Sequence, residues 1–413
     1  MIKNISEGKV LLILLIFSIL SLFIPSVTLY RATVFIAVIS CVVLGSKQYN
    51  IINPYYLFAI TPVSLLLYFD LGGAYMLELS DKTWRLAIIN ISAFIFALHY
   101  TPSFTKYSNC ISLNQTGTLV FSSIFFYVLS FIGGYIPQIN ALFWFLSVAA
   151  IVCALKTKKK IMYLFCAYII LSSLLSGHTS KMAVLLQCIT ILVCYDKYFV
   201  VSKSKIGKIK LFILTGLGVM FMIFAFTFAN KDRGEYDSEE GMSYYLTQGH
   251  MDWNYSPSLF MPYMYLATPW TNLEYVVETQ DTRTNGLWLV KPVLGYVGLD
   301  EKYEREYDIT PYSEFNTFAF IAVGFKDFGF YGSILLSILL GFFVKKVYSR
   351  YEISKSPFDI TSYILVALAT AEMFFSNHFF MQSYPFTCFI IMEIWKVIMG
   401  LTISSKIELD EGK

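Results

Sequence analysis

The chain has 413 residues, of which 56% are hydrophobic and 14% charged, with a formal net charge of +3. A soluble domain carries about 25% charged residues, and a charge in hydrocarbon costs several kcal/mol, so the deficit marks a chain made for lipid. So small a net charge also argues against a nucleic-acid partner.

The first apolar run follows Lys3 and Lys9, and a second follows it at once. Ile24-Pro25-Ser26-Val27 is a poor cleavage site, so an uncleaved first span is expected. Runs able to cross about 30 Å of hydrocarbon need roughly 17–25 residues. They fall at 9–25, 31–46, 52–70, 84–100, 116–136, 138–155, 160–176, 181–196, 208–229, 327–345, 358–376 and 383–403. The fold class expected is an all-α polytopic membrane protein of about twelve transmembrane helices. It divides into an N-terminal bundle over 1–229, a large loop over 230–316 and a C-terminal set of helices over 317–413.

Charge gives the orientation. With the N-terminus inside, nineteen Lys and Arg residues fall on inside segments, whereas the short outside loops hold only Arg31, Lys82, Arg85 and Lys181. Both termini are then cytoplasmic and the 230–316 loop is external. That loop is too aromatic for disorder and predominantly acidic. Short helices are expected in it over about 258–280 and 285–297.

No cysteine lies in the loop, no Cys/His cluster has zinc spacing, and no phosphate-binding glycine motif is present, so no metal or cofactor is expected. Asp327-Phe328-Gly329 matches a kinase triplet with nothing else of a kinase around it. His178, His250 and His378 map outside, His178 and His378 in very short loops. Lys181, beside Thr179 and Ser180 at a helix start, offers a phosphate site, or else snorkels at the interface. His378 is a candidate proton acceptor, or else caps a helix end. Pro269 sits early in a helix in this reading, and Trp270 with Tyr275 can form a wall for stacking sugars.

Three blocks carry a resemblance. Asn316-Thr317-Phe318 followed by Asp327-Phe328-Gly329, Gly332 and Gly341 resembles the block that ends the large external loop of bacterial oligosaccharide repeat-unit polymerases, the O-antigen polymerases of Wzy type. Thr268-Pro269-Trp270-Thr271-Asn272-Leu273 is similar to the middle of that loop. Ser176-Gly177-His178-Thr179-Ser180-Lys181 is similar to a short external loop that usually carries Ser-Arg, with Lys181 in the arginine's place.

The resemblance implies a C-type glycosyltransferase in a bacterial inner membrane, of the architecture shared with O-antigen ligases. Its implied partners are undecaprenyl-pyrophosphate-linked oligosaccharide, the bilayer and a chain-length regulator. Outside cations Lys181, Arg233 and Arg283 would meet the pyrophosphate, and Trp270, Asn272 and Asn316 the glycan. His178, Glu274 and His378 are the candidate proton acceptors. A ligase-type transferase and a lipid-linked oligosaccharide flippase are the competing readings. Few charges inside the spans (Glu372, and Glu393 with Lys396 as a local helical pair) speak against transport.

Overall fold

The structure, a computed structural model, describes residues 6–48, 50, 52–72, 78–102, 148–149, 151–152, 155, 181–198, 257–279, 283–290, 317–354, 357–375, 379, 389–390 and 393–394. Among the described residues the regular structure is helical and no strand occurs. The helices are α1 (Glu7–Phe23), α2 (Val27–Lys47), α3 (Pro54–Phe58), α4 (Ile60–Gly72), α5 (Asp81–Tyr100), α6 (Lys181–Tyr198), α7 (Pro257–Thr279), α8 (Ile321–Ile353) and α9 (Pro357–Ala371). Three of them, α2, α5 and α8, are long and apolar enough to cross a membrane. The expected spans at 116–136, 160–176 and 208–229 lie outside the described residues, as do most of 138–155 and 383–403.

Local signals set the helix starts. The Ser26 hydroxyl accepts from Leu29 N–H at the start of α2. Asn53 accepts from the N–H groups of Tyr55 and Tyr56 at α3, with Pro54 in the first turn, where its missing N–H is not needed. Ser80 accepts from Thr83 N–H at α5.

Two compact units emerge from the packing, each drawn from separated stretches. The first takes residues 1–101, 216–345 and 369–383, and the second takes 102–215, 346–368 and 384–413. Residues far apart in sequence thus share each core.

The first unit has polar contacts inside its apolar core and apolar side chains on its outside. Ser18 Oγ lies 2.8 Å from Ser92 Oγ, and Ser21 Oγ lies 2.8 Å from Thr33 Oγ1. Asn90 Nδ2 donates to Ser333 Oγ, and Ser337 Oγ donates to Asn90 Oδ1 at 2.6 Å. Meanwhile Leu12, Ile16, Ile19, Phe23, Phe35, Leu335 and Leu339 point outward and are exposed. In water this surface would be an aggregation hazard. In lipid it costs nothing, and small hydroxyls hydrogen-bonding between helices stabilise the bundle.

Chain ends collect by charge. Glu7, at the start of α1, lies 3.7 Å from Lys47 Nζ at the end of α2 and 3.9 Å from His99 Nε2 at the end of α5. These are three ends that the sequence places on one side.

Helix α8 is not one rod. Gly329 has φ 75° and ψ −163°, a backbone that breaks the helix after Phe328. A Cβ on Gly324 would meet Ser333 Cα at 2.8 Å, although nine residues of straight helix span about 13 Å. The chain therefore doubles back at Gly329. Gly332 lies so close to the Phe328 side chain that no Cβ fits there. Gly341 faces α5, where a Cβ would lie 2.8 Å from both Ala97 Cβ and the Phe94 carbonyl oxygen. The span expected at 327–345 accordingly begins only after this reversal.

In the second unit Arg350 makes a two-pronged pair with Glu393, its Nη1 2.9 Å from Oε2 and its Nη2 bonded to Oε1. Arg350 Nε also lies 3.9 Å from Asp359 Oδ1, and Ser362 Oγ donates to Glu393 Oε1 at 2.9 Å. Glu393 thus meets a cation 43 residues away, Arg350; Lys396 lies outside the described residues. Lys197 Nζ donates to Tyr351 O at 2.6 Å, and the rings of Tyr351 and Tyr363 stack at 4.4 Å.

Gly341→Leu is expected to force α5 and α8 apart and destabilise the first unit by about 1–3 kcal/mol. A thermal melt of the detergent-solubilised protein reads this as a lowered Tm, and an unchanged Tm would show that the helices do not meet at Gly341.

Candidate functional site

One end of the first unit gathers two of the three motif blocks, the one in the middle of the loop and the one at its end. Helix α7 runs over Pro257–Thr279, within a residue of the helix expected at 258–280. Pro269 therefore lies in its interior rather than early in it. Proline has no N–H to donate there, and membrane helices tolerate this where neighbours satisfy the backbone. The Pro269 carbonyl accepts a further bond from Ala319 N–H at 3.3 Å. Three residues on, Asn272 Nδ2 donates to the Thr317 carbonyl at 2.6 Å. Trp288 and Phe318 contact ring to ring at 5.5 Å between centroids. The block in the middle of the loop and the block at its end thus pack on each other.

Trp270 is fully buried, and its indole N–H donates to Ser64 Oγ at 3.0 Å. Its ring has no face open to stack a sugar, because α7 turns this side toward α4. Tyr275, half-buried, is the more open of the two. Asn272 is likewise buried, and its amide ties α7 to the segment before α8.

The sharp reversal at Gly329 is held by Asp327. This carboxylate is 1% exposed and accepts from Thr284 Oγ1, from Trp288 N–H at 3.1 Å and from Leu289 N–H at 2.8 Å. Asn285 N–H and Thr284 N–H return bonds to the carbonyls of Asp327 and Lys326. Asp327 therefore caps the short helical turn over 287–290, the described part of the helix expected at 285–297. A carboxylate at a helix N-terminus takes up N–H groups that have no partner within the helix. The Asp-Phe-Gly triplet is thus an anchor and a turn.

Arg283 sits beside this anchor. It is exposed, its Nη1 donates to Phe325 O at 2.8 Å, and its guanidinium lies over the Phe325 ring at 4.6 Å. The same ring receives Lys82 Nζ at 5.9 Å from its centre. Lys82 Nζ also donates to Val277 O at 2.7 Å, near the end of α7.

The carboxylates converge on Ser80. Glu274 Oε2 accepts from Ser80 N–H at 3.0 Å and lies 3.2 Å from Ser80 Oγ. Glu278 Oε1, one helical turn along, lies 2.9 Å from the same hydroxyl. Glu274 is 6% exposed, whereas Glu278 is open to solvent. Among the described residues, no cation lies within 4.0 Å of either carboxylate, and no carboxylate lies within 4.0 Å of Lys82 or Arg283.

Of the residues singled out in the sequence, Trp270, Asn272, Glu274 and Arg283 come together here, the first two as packing elements. Lys181 is the first residue of α6, and its side chain lies outside the described set. His178, Arg233, Asn316 and His378 lie outside the described residues. The sequence reading passed over Glu278 and Lys82 as site residues. Glu278 had a signal in its four-residue spacing from Glu274 on one helix face. Lys82 had none beyond its place in a short outside loop.

Asp327→Ala is expected to strip the buried Trp288 N–H and the part-buried Leu289 N–H of their acceptor, a loss of about 1–3 kcal/mol. Faster hydrogen exchange at Trp288 and Leu289 measures it; unchanged protection there would exclude Asp327 as the anchor.

No protein-family model matches the chain, and no curated protein and no solved structure matches it.

Proposed function

We propose that this chain is a glycosyltransferase that polymerises lipid-linked oligosaccharide repeat units, moving the growing glycan from undecaprenyl pyrophosphate to the non-reducing end of a new lipid-linked unit. The observation that carries the reading is the unneutralised charge at one end of the first unit. Two carboxylates on Ser80 and two cations on Phe325 sit on adjoining elements without an ion pair among the described residues. Opposite charges left unjoined are available to a ligand that needs both.

The transfer needs both. The acceptor hydroxyl attacks the anomeric carbon of the donor sugar and its proton passes to a carboxylate. The bond from that carbon to the pyrophosphate oxygen breaks, and the pyrophosphate leaves with the electron pair. Fixed cations stabilise the charge that grows on the leaving group. Glu278, exposed and one turn from Glu274, is the better placed proton acceptor, and Glu274 holds Ser80 and the start of α5.

Apolar helices support a membrane setting, where a lipid-linked substrate is met at the bilayer surface. The resemblance of the three sequence blocks supports the substrate class, and on this reading the large loop and its charged end are periplasmic and both termini cytoplasmic. On the sequence resemblance alone, Lys181 and Arg233 stay candidate cations for the pyrophosphate, and His178 and His378 stay candidate proton acceptors.

Deleting the gene is expected to replace the long surface-glycan ladder with a single-repeat band on a gel. Polymer retained on the carrier lipid would instead favour the ligase reading, and complete loss of repeat units would favour transport. Glu278→Gln and Lys181→Ala are each expected to leave mostly single repeats while the protein still inserts, and Lys181→Arg to keep the ladder. A full ladder in Glu278→Gln would remove that carboxylate from the chemistry.

A further inference from the structure

We infer that helix α7 and the segment 317–328 are embedded in the membrane, α7 as a further helix beside α4 and α5, and 317–328 as a re-entrant leg. The placement does not rest on the transferase reading. It withdraws α7 from the external loop expected over 230–316 and leaves only the charged end of that helix at the surface.

Depth can be measured along α5, whose 20 residues are about 30 Å long, the thickness of the hydrocarbon. At its start, Ser80 holds Glu274 and Glu278 of α7. Phe94 lies thirteen residues, about 20 Å, beyond Asp81. The Phe320 ring meets Phe94 at 6.3 Å and Phe58 of α3 at 6.0 Å between centroids. Phe320 is therefore near the middle of the bundle, far from the charged end. Ala319 N–H donates to Pro269 O at 3.3 Å, which brings the middle of α7 to the same depth. Trp270 agrees, since its indole reaches Ser64 inside α4 and not at an end of it. Between Pro269 and Glu278 nine residues rise about 13 Å. Helix α7 thus runs along the bundle and not across its mouth.

The chemistry of α7 fits that depth. None of residues 253–273 is charged, a run long enough to cross hydrocarbon. From Tyr263 to Val277 only Tyr265, Leu266 and Tyr275 are half-buried, and the others are buried. Its polar side chains are tolerated there because each has a bond: Thr268 to Met264 O, Thr271 to Tyr68 and Asn272 to Thr317 O.

The re-entrant leg must also satisfy its irregular backbone. Non-helical chain at membrane depth survives only where protein or a water-filled cavity surrounds it. Residues 317–327 are all buried. Thr317 O accepts from Asn272 Nδ2 at 2.6 Å, Ala319 N–H donates to Pro269 O, and Phe320 N–H donates to Met373 O at 2.9 Å. From Ile321 to Phe328 the helix then rises about 12 Å to the reversal at Gly329, close to the 15 Å or so of half a bilayer.

The first test uses the full-length protein, freed of its seven cysteines and reconstituted in vesicles with one nitroxide label at a time. Labels stand on Thr279→Cys, Tyr275→Cys and Leu266→Cys in α7. Tyr331→Cys, Leu335→Cys and Leu339→Cys, on the exposed face of α8, calibrate them. Collisions with oxygen, which concentrates in hydrocarbon, are compared with collisions with a water-soluble nickel chelate; their ratio follows depth and cancels local crowding. The ratio is expected to rise from Thr279 to Leu266 as it rises from Tyr331 to Leu339. The same chelate-dominated ratio at Leu266 and at Thr279 overturns the placement of α7.

Hydrogen exchange of the unaltered protein in nanodiscs tests the leg without substitutions. The amides of Ala319 and Phe320 are expected to be as protected as those in the middle of α5, and Asn272→Leu to speed them about tenfold. Exchange at Ala319 and Phe320 as fast as in an open loop overturns the leg, and unchanged exchange in Asn272→Leu overturns the support assigned to Asn272.

Discussion

The Asp327 carboxylate holds the charged end of the first unit together. It is buried, it takes two main-chain N–H groups and a hydroxyl from the segment 284–289, and it sits two residues before the reversal at Gly329. A buried carboxylate is tolerated only when donors replace its lost water. Here the donors belong to a segment that is also tied by Thr284 and Asn285 N–H to the carbonyls of Lys326 and Asp327 and by the Trp288 ring against Phe318. The same turn carries Arg283, whose Nη1 donates to Phe325 O. Glycine supplies the rest, since Gly329 adopts a positive φ and Gly332 leaves room for Phe328.

A second constraint comes from the solvent. Hydrocarbon rewards apolar surface no more than another helix does, so helices there join through close approach and hydroxyl contacts. The first unit follows that rule, with Ser18, Ser21, Thr33, Ser92 and Asn90 turned inward and a leucine and isoleucine surface turned out. Gly341 serves the same end against Ala97. The second unit sets the half-buried Arg350 against Glu393 and the buried Asp359, a charged centre tolerable in such surroundings because each group is paired.

The charged end inherits its character from both constraints. Helices packed through small residues leave their termini in fixed positions, and polar groups at those termini are then held without needing one another. Ser80 occupies two carboxylates through its N–H and hydroxyl, and Phe325 gathers two cations through its ring and carbonyl. Charges that would pair in a flexible loop stay apart.

Composition alone determined that this chain is made for lipid, because transfer from water depends on each residue's own surface. Helix starts rest on local signals, since Ser26, Asn53 with Pro54, and Ser80 act on N–H groups within three residues, although the spans expected at 31–46 and 84–100 begin three or four residues after the observed helices. The helix over Pro257–Thr279 was also legible. Tertiary structure alone decided which way α7 faces, turning Trp270 toward Ser64, 206 residues away, and Glu274 toward Ser80, 194 residues away. It also decided that α8 doubles back, and that Lys82 shares a ring with Arg283. Such contacts depend on how separate helices pack, and no local pattern of residues encodes the partner that a side chain meets across that distance.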